Sequence, residues 1–275
     1  MRKVLYRDLF EEPVIGQITQ GSIFNGAKSR AYPNNLNVMG IIISPRCDIE
    51  QQKAPLYYFL PVVRVTDWLL QDMPNLYIPR LEEDAKNILK HELIKNGESE
   101  TILDKFDATY VEQRLRLHSP QLKKNVEDRL EIWKALETYR KGSPLKTVTI
   151  KDGSNIQKGI FDELIANKNP NFYFLEHKHE EGYVIRMREI SRLAPEMLFR
   201  LAKGIEGKLT DSELEDSDLR QLDPEELIMP LYVVKSPFME HIMQHFLQQF
   251  NRIGIEDVHK DFSNRFIELI KNNQQ

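Results

Sequence analysis

The sequence predicts an α+β protein in which a small, strongly bent β-barrel or sheet carries a large helical insertion and a helical C-terminal tail. Three observations predict it. Two continuous apolar runs, Met39–Ile43 and Tyr57–Val63, flank a short polar segment; such runs belong to strands covered on both faces or to the inner wall of a barrel. From about residue 66 to residue 142 the apolar residues recur at helical spacing. After Ser236 and Pro237, Phe238, Ile242, Phe246, Phe250 and Ile253 fall on one face of a helix.

Taken in order, residues 1–65 form the first part of the barrel. Leu5, Tyr6, Leu9 and Phe10 suit a short helix or an arm packed on a neighbour. Ile15, Ile18, Ile23 and Phe24, interrupted by Gly16, Gly21 and Gly26, suit a strand bent at glycines. A polar loop, AKSRAYPNNLN, leads to strands at Val38–Ser44 and Tyr57–Val65. Pro61 cannot donate to a ladder, which places the second of these at an edge or a bulge.

Residues 66–144 are the helical insertion. Leu81, Ala85, Ile88, Leu89 and Leu93 share one face of a helix that Pro79 precedes and Gly97 stops. A second helix is expected from Ser99 through Phe106, with YVEQRLRL as an extension. A third has Ser119 as N-cap, Pro120 in the first turn, and a stripe of Leu122, Val126, Leu130, Trp133 and Leu136.

Residues 145–204 return to the barrel. Val148 and Ile150 alternate with polar residues before an Asp-Gly turn, and a helix follows around Ile160–Ala166. Phe172–Glu176 and Tyr183–Ile190 read as the arms of a hairpin with the polar tip HKHEEG. Pro195 opens a short helix that Gly204 ends. Residues 205–230 form an acidic connector, since Glu206–Glu226 holds nine acids against Lys208 and Arg220, a net charge of −7. Its plain reading is a solvated linker and its sharper one a docking segment for a basic partner. The tail, residues 231–275, has a short strand at Leu231–Val234, the helix opened by Ser236, and a last helix over Phe262–Ile270.

With 275 residues the chain can bury a core without covalent staples. Its single cysteine, Cys47, excludes an internal disulfide and points to a reducing compartment, so a cytoplasmic protein is expected. MRKVLYRDLFEEP has no signal-peptide pattern, and no apolar run approaches the roughly 20 residues of a membrane span. The formal charge of −4 lacks the basic excess of a nucleic-acid binder. Arg114, Arg116, Lys123 and Lys124 cluster locally, but Glu112, Glu127 and Asp128 offset them.

Three constellations are candidates for chemistry. Ser44-Pro45-Arg46-Cys47-Asp48 leaves a buried strand, where a rigid element positions exposed side chains. Arg46 would favour a Cys47 thiolate, and a general base would have to come from His177 or His179. The plainer reading makes Cys47 a small buried side chain and Asp48 a turn cap. His177 and His179, at i and i+2, could share a metal with Glu180 or Glu181, but no second ligand cluster accompanies them, and a solvated turn is the default. His241 and His245 have i, i+4 spacing, yet Ile242 stands where a zincin carries Glu, so they read as polar residues beside an apolar stripe. No metal or cofactor is expected. The chain also lacks a phosphate-binding GxxxxGK[ST] loop, a GxGxxG fingerprint and a GxSxG elbow.

Gly21, Ile41–Ile43, Ser44, Cys47, Asp48, Ile49 and Leu60–Val62 form a glycine-punctuated strand, an apolar strand running into S-x-x-C-D-I, and a strand ending L-P-V. This layout resembles uncharacterised prokaryotic small-barrel proteins carried in mobile or phage-defence gene clusters, and more distantly the SH3-like barrel of the MazF/PemK toxin family. The tail S-P-F-M-E-H-I-M-Q-H-F is similar to a C-terminal element of the same group. The resemblance implies a recognition or adaptor subunit of a cytoplasmic prokaryotic complex, of anti-phage defence or toxin type, whose protein partner would be an effector such as a nuclease or ATPase. Its partner-binding surface would comprise Ser44, Arg46 and Asp48 together with Phe238, Ile242, Phe246 and Phe250. The alternative is a small-barrel RNase or other hydrolase using Arg46, Cys47 and Asp48 with His177 or His179.

Overall fold

The structure, a computed structural model, describes residues 7–32, 37–142, 154–205, 222 and 227–250. The expected strand through Val148 and Ile150, most of the acidic connector and the last helix lie outside them.

The fold is α+β, built on one antiparallel sheet that curls into a half-barrel. Its strands are β1 (Phe10–Glu11), β2 (Ser22–Phe24), β3 (Met39–Ile42), β4 (Tyr57–Arg64), β5 (Phe172–Leu175), β6 (Tyr183–Arg186), β7 (Ser191–Leu193) and β8 (Pro230–Val234). The spatial order is β1-β8-β2-β3-β4-β6-β5, with β7 beside β4. Residues 7–11 are thus an arm closed onto the C-terminal strand, with Phe10 opposite Val234.

β4 lies inside the sheet and its register with β3 runs without a shift past Pro61, which corrects the edge or bulge expected there. Its first half pairs with β7, from Tyr57↔Leu193 to Phe59↔Ser191, and its second half with β6, from Val62↔Ile185 to Arg64↔Tyr183. The amide of Ile43 donates to the carbonyl of Tyr58 at 2.9 Å, so the polar groups of alternate residues 58, 60 and 62 face β3. Those of residue 61 point the other way, into the gap where β7 has ended and β6 has yet to begin. The missing N–H costs no ladder bond there.

Alternation along the strands sends side chains to two cores. On one face Ile23, Ile41, Leu60, Val62, Leu175 and Ile185 pack together. The two ends of the sheet approach each other across this face: Arg7 pairs with Glu176, and the Phe10 ring lies 5.4 Å from His177. This is therefore the concave side. On the convex side Phe24, Ile42, Tyr57, Phe59, Val63 and Val184 meet the helices α2 (Val65–Gln71), α3 (Met73–Lys95), α7 (Ser154–Ile165) and α8 (Pro195–Lys203). Gly40 faces this side where Phe24 and Phe59 meet edge to face at 5.2 Å.

The helical insertion completes the architecture. α3 contributes Leu81 and Ala85 to the convex core and Leu89 and Leu93 to a third cluster. That cluster is closed by α4 (Ile102–Lys105), α5 (Ala108–His118) and α6 (Lys124–Arg140) through Leu103, Val111, Leu115, Val126, Leu130 and Trp133. Three expected boundaries moved. Pro79 lies inside α3, whose start is marked by Pro74 in its first turn. α4 and α5 are separate helices, and Asp107 caps the second by accepting from the Tyr110 amide at 2.8 Å. Ser119 closes α5, so α6 begins only at Lys124.

The C-terminal helix, α9 (Phe238–Gln248), plugs the concave side. Met239, Ile242 and Phe246 are buried there and Phe238 is half-buried, so the stripe completes a core. The helix is also held through its histidines. His241 Nδ1 is hydrogen-bonded to the Tyr173 hydroxyl at 2.6 Å, and His245 Nε2 donates to the Asn169 carbonyl at 3.0 Å. Burial holds the His245 imidazole below its usual pKa of 6.5. The unfolded chain then binds more protons than the native one once the pH falls below about 6.5, and stability declines until the lower folded value is passed. Thermal melts should show this loss between pH 7.5 and 5.5, and His245→Gln, which keeps an N–H donor but cannot titrate, should flatten that part of the profile. An equal slope in the variant would assign the effect elsewhere. No described helix is long and apolar enough to cross a membrane.

Candidate functional site

The motif Ser44–Asp48 does not form an exposed loop. β3 hands over directly to the short helix α1 (Arg46–Glu50). Ser44 is buried, and its Oγ accepts the Tyr58 amide at 2.7 Å, so it belongs to the sheet and not to a partner surface. Cys47 is exposed, contrary to the buried side chain expected of it, and its thiol has only the weak 3.7 Å contact to Asp48 Oδ1. The Asp48 carbonyl, not its carboxylate, accepts the Tyr57 hydroxyl at 3.2 Å. Arg46 points outward and forms no ion pair with a described residue.

The histidines proposed to work with this motif sit at the far end of β4. Ser44 binds the Tyr58 end, whereas the hairpin tip Glu176–Gly182 adjoins Arg64 through the pair Arg64↔Tyr183. Six residue steps of strand separate the two positions, about 20 Å. The sheet therefore keeps Arg46, Cys47 and Asp48 apart from His177 and His179, and no Cys–His or Asp–His unit is assembled among them. His177 instead packs its ring 5.6 Å from Tyr183 and 5.5 Å from Tyr232. Glu180 is engaged by the Tyr183 hydroxyl. Burial, then that hydrogen bond, hold the Tyr183 phenol far above its usual pKa. His241 and His245 are spent on Tyr173 and Asn169, and among the described residues no group of three or more His, Cys, Asp or Glu side chains could hold a metal.

A second polar constellation escaped the sequence. Asp72 is buried between α2 and α3, accepts the Tyr32 hydroxyl at 2.6 Å and pairs with Arg186 of β6. Arg186 also donates through Nε to Glu189 at 3.0 Å and stacks over the Tyr32 ring at 5.3 Å. Glu189 in turn accepts the Ser29 hydroxyl and the Arg30 amide, each at 2.7 Å. Burial, reinforced by the Asp72 hydrogen bond and charge, raises the Tyr32 phenol well above its ordinary range. With its buried charges and hydroxyls matched, this network ties four segments together rather than awaiting a ligand.

A cavity of about 630 Å³ lies at the hairpin tip, lined by Arg64 and by Lys178 to Gly182, and a groove runs along α8. At one end a cavity of about 170 Å³ is walled by Val14, Ile15, Ala202, Gly204, Leu227 and Met229. A larger one, about 650 Å³, continues past the same Val14 and Ala202 to Ile18, Ile49, Phe199 and Val233. The most conspicuous residue of the smaller cavity is Ile15, 96% exposed. The local sequence explains why. Gln17 donates its amide to the Val14 carbonyl at 3.0 Å across a tight turn, and Gly16 occupies the position that needs φ near +78°. The Gly16 amide then donates to the Ala202 carbonyl at 3.1 Å, fastening the turn to the end of α8. Ile15 is thus held at the apex, facing water. Leu227 and Met229, 51% and 43% exposed, border it. Three chain segments converge here, and none carries a recognisable motif. Of the residues expected to bind a partner, Arg46 lines the groove and Phe250 is exposed just beyond the end of α9, while Ile242 and Phe246 are buried.

Comparison with protein-family models, with curated protein sequences and with solved structures finds no match to the chain.

Proposed function

We propose that this protein is a non-enzymatic recognition or adaptor subunit of a cytoplasmic prokaryotic complex, of anti-phage defence or toxin type, and that it holds its protein partner in the groove beside α8. The observation that carries the docking reading is the exposed apolar cluster of Val14 and Ile15, on a turn fixed by backbone hydrogen bonds, with the neighbouring Leu227 and Met229. Clustered exposed apolar side chains around a groove are a mark of interaction surfaces. The separation of Arg46, Cys47 and Asp48 from His177 and His179 weighs against the hydrolase alternative. The resemblance of S-x-x-C-D-I to the small-barrel group supports the cellular setting, and the curled sheet suits an SH3-type scaffold.

Affinity purification of the full chain from its native host tests this. A nuclease, ATPase or other effector should co-purify in stoichiometric amount and be lost with Ile15→Asp. Because Ile15 is almost fully exposed, that substitution should change stability by no more than about 0.5 kcal/mol. Ile94→Asp, on an exposed face of the helical insertion, should leave the partner bound. A monomer that degrades RNA and loses that activity with Asp48→Ala would overturn the proposal.

A further inference from the structure

We infer that Arg64 and the hairpin tip form a binding site for a small anionic ligand that joins a phosphate or carboxylate head to a flat ring. Two cavities meet there. The larger is the one of about 630 Å³ lined by Arg64 and by Lys178 to Gly182. The smaller, about 270 Å³, has Met39, Leu231 and the Tyr232 ring on its apolar part and Asn25 and Asn37 on its polar part. Arg64 and Glu180 line both, so the two cavities adjoin at these side chains. Neither shares a lining residue with the groove beside α8, and the inference is independent of the docking reading above.

Arg64 is the group that selects an anion. It ends β4, where the pairing Arg64↔Tyr183 and the bond from the Val65 amide to the Gly182 carbonyl, 3.2 Å, fix its backbone against the tip. Its side chain is exposed and forms no hydrogen bond or ion pair with a described residue. Glu180 lines the same two cavities, but its carboxylate takes the Tyr183 hydroxyl and leaves the guanidinium unpaired. Lys178 and Glu181 are likewise exposed and without a partner among the described residues, so the uncompensated charges are two cations against one acid. A guanidinium presents five N–H donors in a planar fork that matches the paired oxygens of a carboxylate or phosphate.

The smaller cavity receives the body of the ligand. The Tyr232 ring is held by the Phe10 and His177 rings, at 5.4 and 5.5 Å, and so offers a fixed aromatic wall beside Met39 and Leu231. The Asn25 carboxamide is spent on the Leu227 carbonyl and the Met229 amide, whereas that of Asn37 is exposed and makes no hydrogen bond with a described residue. A flat ring fits against an aromatic wall, its polar edge fits a free carboxamide, and its anionic head then falls to Arg64 where the cavities adjoin.

Four probes separate head from body: adenosine monophosphate, 3-phenylpropionate, adenosine and inorganic phosphate. Binding to the full chain would be followed by NMR of the methyl groups of Val38, Met39 and Leu231. At least one of the two ring-bearing anions should shift these resonances with a Kd below about 1 mM, and the tighter of them identifies the head as phosphate or carboxylate. Adenosine and inorganic phosphate should each bind roughly tenfold more weakly than that anion, or not at all. Arg64→Gln should melt with the parent, since the side chain is exposed, and should weaken the anion roughly tenfold. Arg64→Lys, which keeps the charge and loses the fork, should restore only part of the affinity. Ile15→Asp should leave it unchanged, so this inference and the docking reading stand or fall separately. The inference is overturned if neither anion binds below about 1 mM, if adenosine or phosphate alone binds as tightly as the anion, or if Arg64→Gln binds it as the parent does.

Discussion

Replacing Asp72 by alanine is expected to destabilise the protein by about 3–5 kcal/mol, because it removes one of the two carboxylates that neutralise the largely buried Arg186 guanidinium and the acceptor of the Tyr32 hydroxyl. The Arg186 side chain is 17% exposed and lies between the Tyr32 and Phe172 rings, so it cannot swing into solvent without vacating that space. Arg186 would keep only Glu189 of its two carboxylate partners, while the Tyr32 hydroxyl would lose its acceptor. The double variant Asp72→Ala, Arg186→Met should recover part of the loss, since removing both charges is less costly than orphaning one. Chemical denaturation of the three proteins measures these differences. A single variant within about 0.5 kcal/mol of the parent would show that Arg186 does not depend on Asp72.

Gly40→Val is expected to prevent folding. A Cβ built at this position would lie 2.4 Å from Phe24 Cζ and 2.8 Å from Phe59 Cδ2. Both rings are fully buried, and each is held by the edge-to-face contact with the other. Even alanine must displace one of them, at a cost of about 1–3 kcal/mol, and valine adds two methyl groups to the same space. Thermal unfolding of Gly40→Ala should show the smaller loss, and Phe24→Leu in that background should return part of it by vacating the ring position. If Gly40→Ala melted with the parent, the close packing of the three residues would be refuted.

The sequence reveals those features in which one segment suffices to report its own surroundings. Met39–Ile43 and Tyr57–Val63 are apolar on both faces because both faces of the sheet are covered, and helix α8 shows its Pro195 start and Gly204 stop in order. Pro61 was misleading because its missing donor has two solutions, an edge or a gap between successive partners, and only the pairing of β4 with β7 and β6 distinguishes them. Ser119-Pro120 was misleading in a similar way, since the residues that open a helix can equally well end the one before. The groove was harder still. Val14 and Ile15 read as strand residues, and nothing local announces that Gly16 turns Ile15 outward or that Leu227 and Met229 will lie beside it. The apolar stripe of α9 was visible, but whether it would serve a core or a partner depended on the curl of a sheet whose strands come from four distant parts of the chain.

The handover of β4 from β7 to β6 also has a consequence for the order in which the chain is made. β4 leaves the ribosome together with β3, but β6 and β7 follow only after the whole helical insertion and α7. At ordinary translation speeds that interval is on the order of ten seconds. Throughout it, the side of β4 that will receive them is an unpaired row of backbone donors and acceptors on a very apolar strand, the kind of edge on which nascent chains pair with one another. Pro61 interrupts that row at its middle. A residue that costs the finished sheet nothing thus guards the unfinished one.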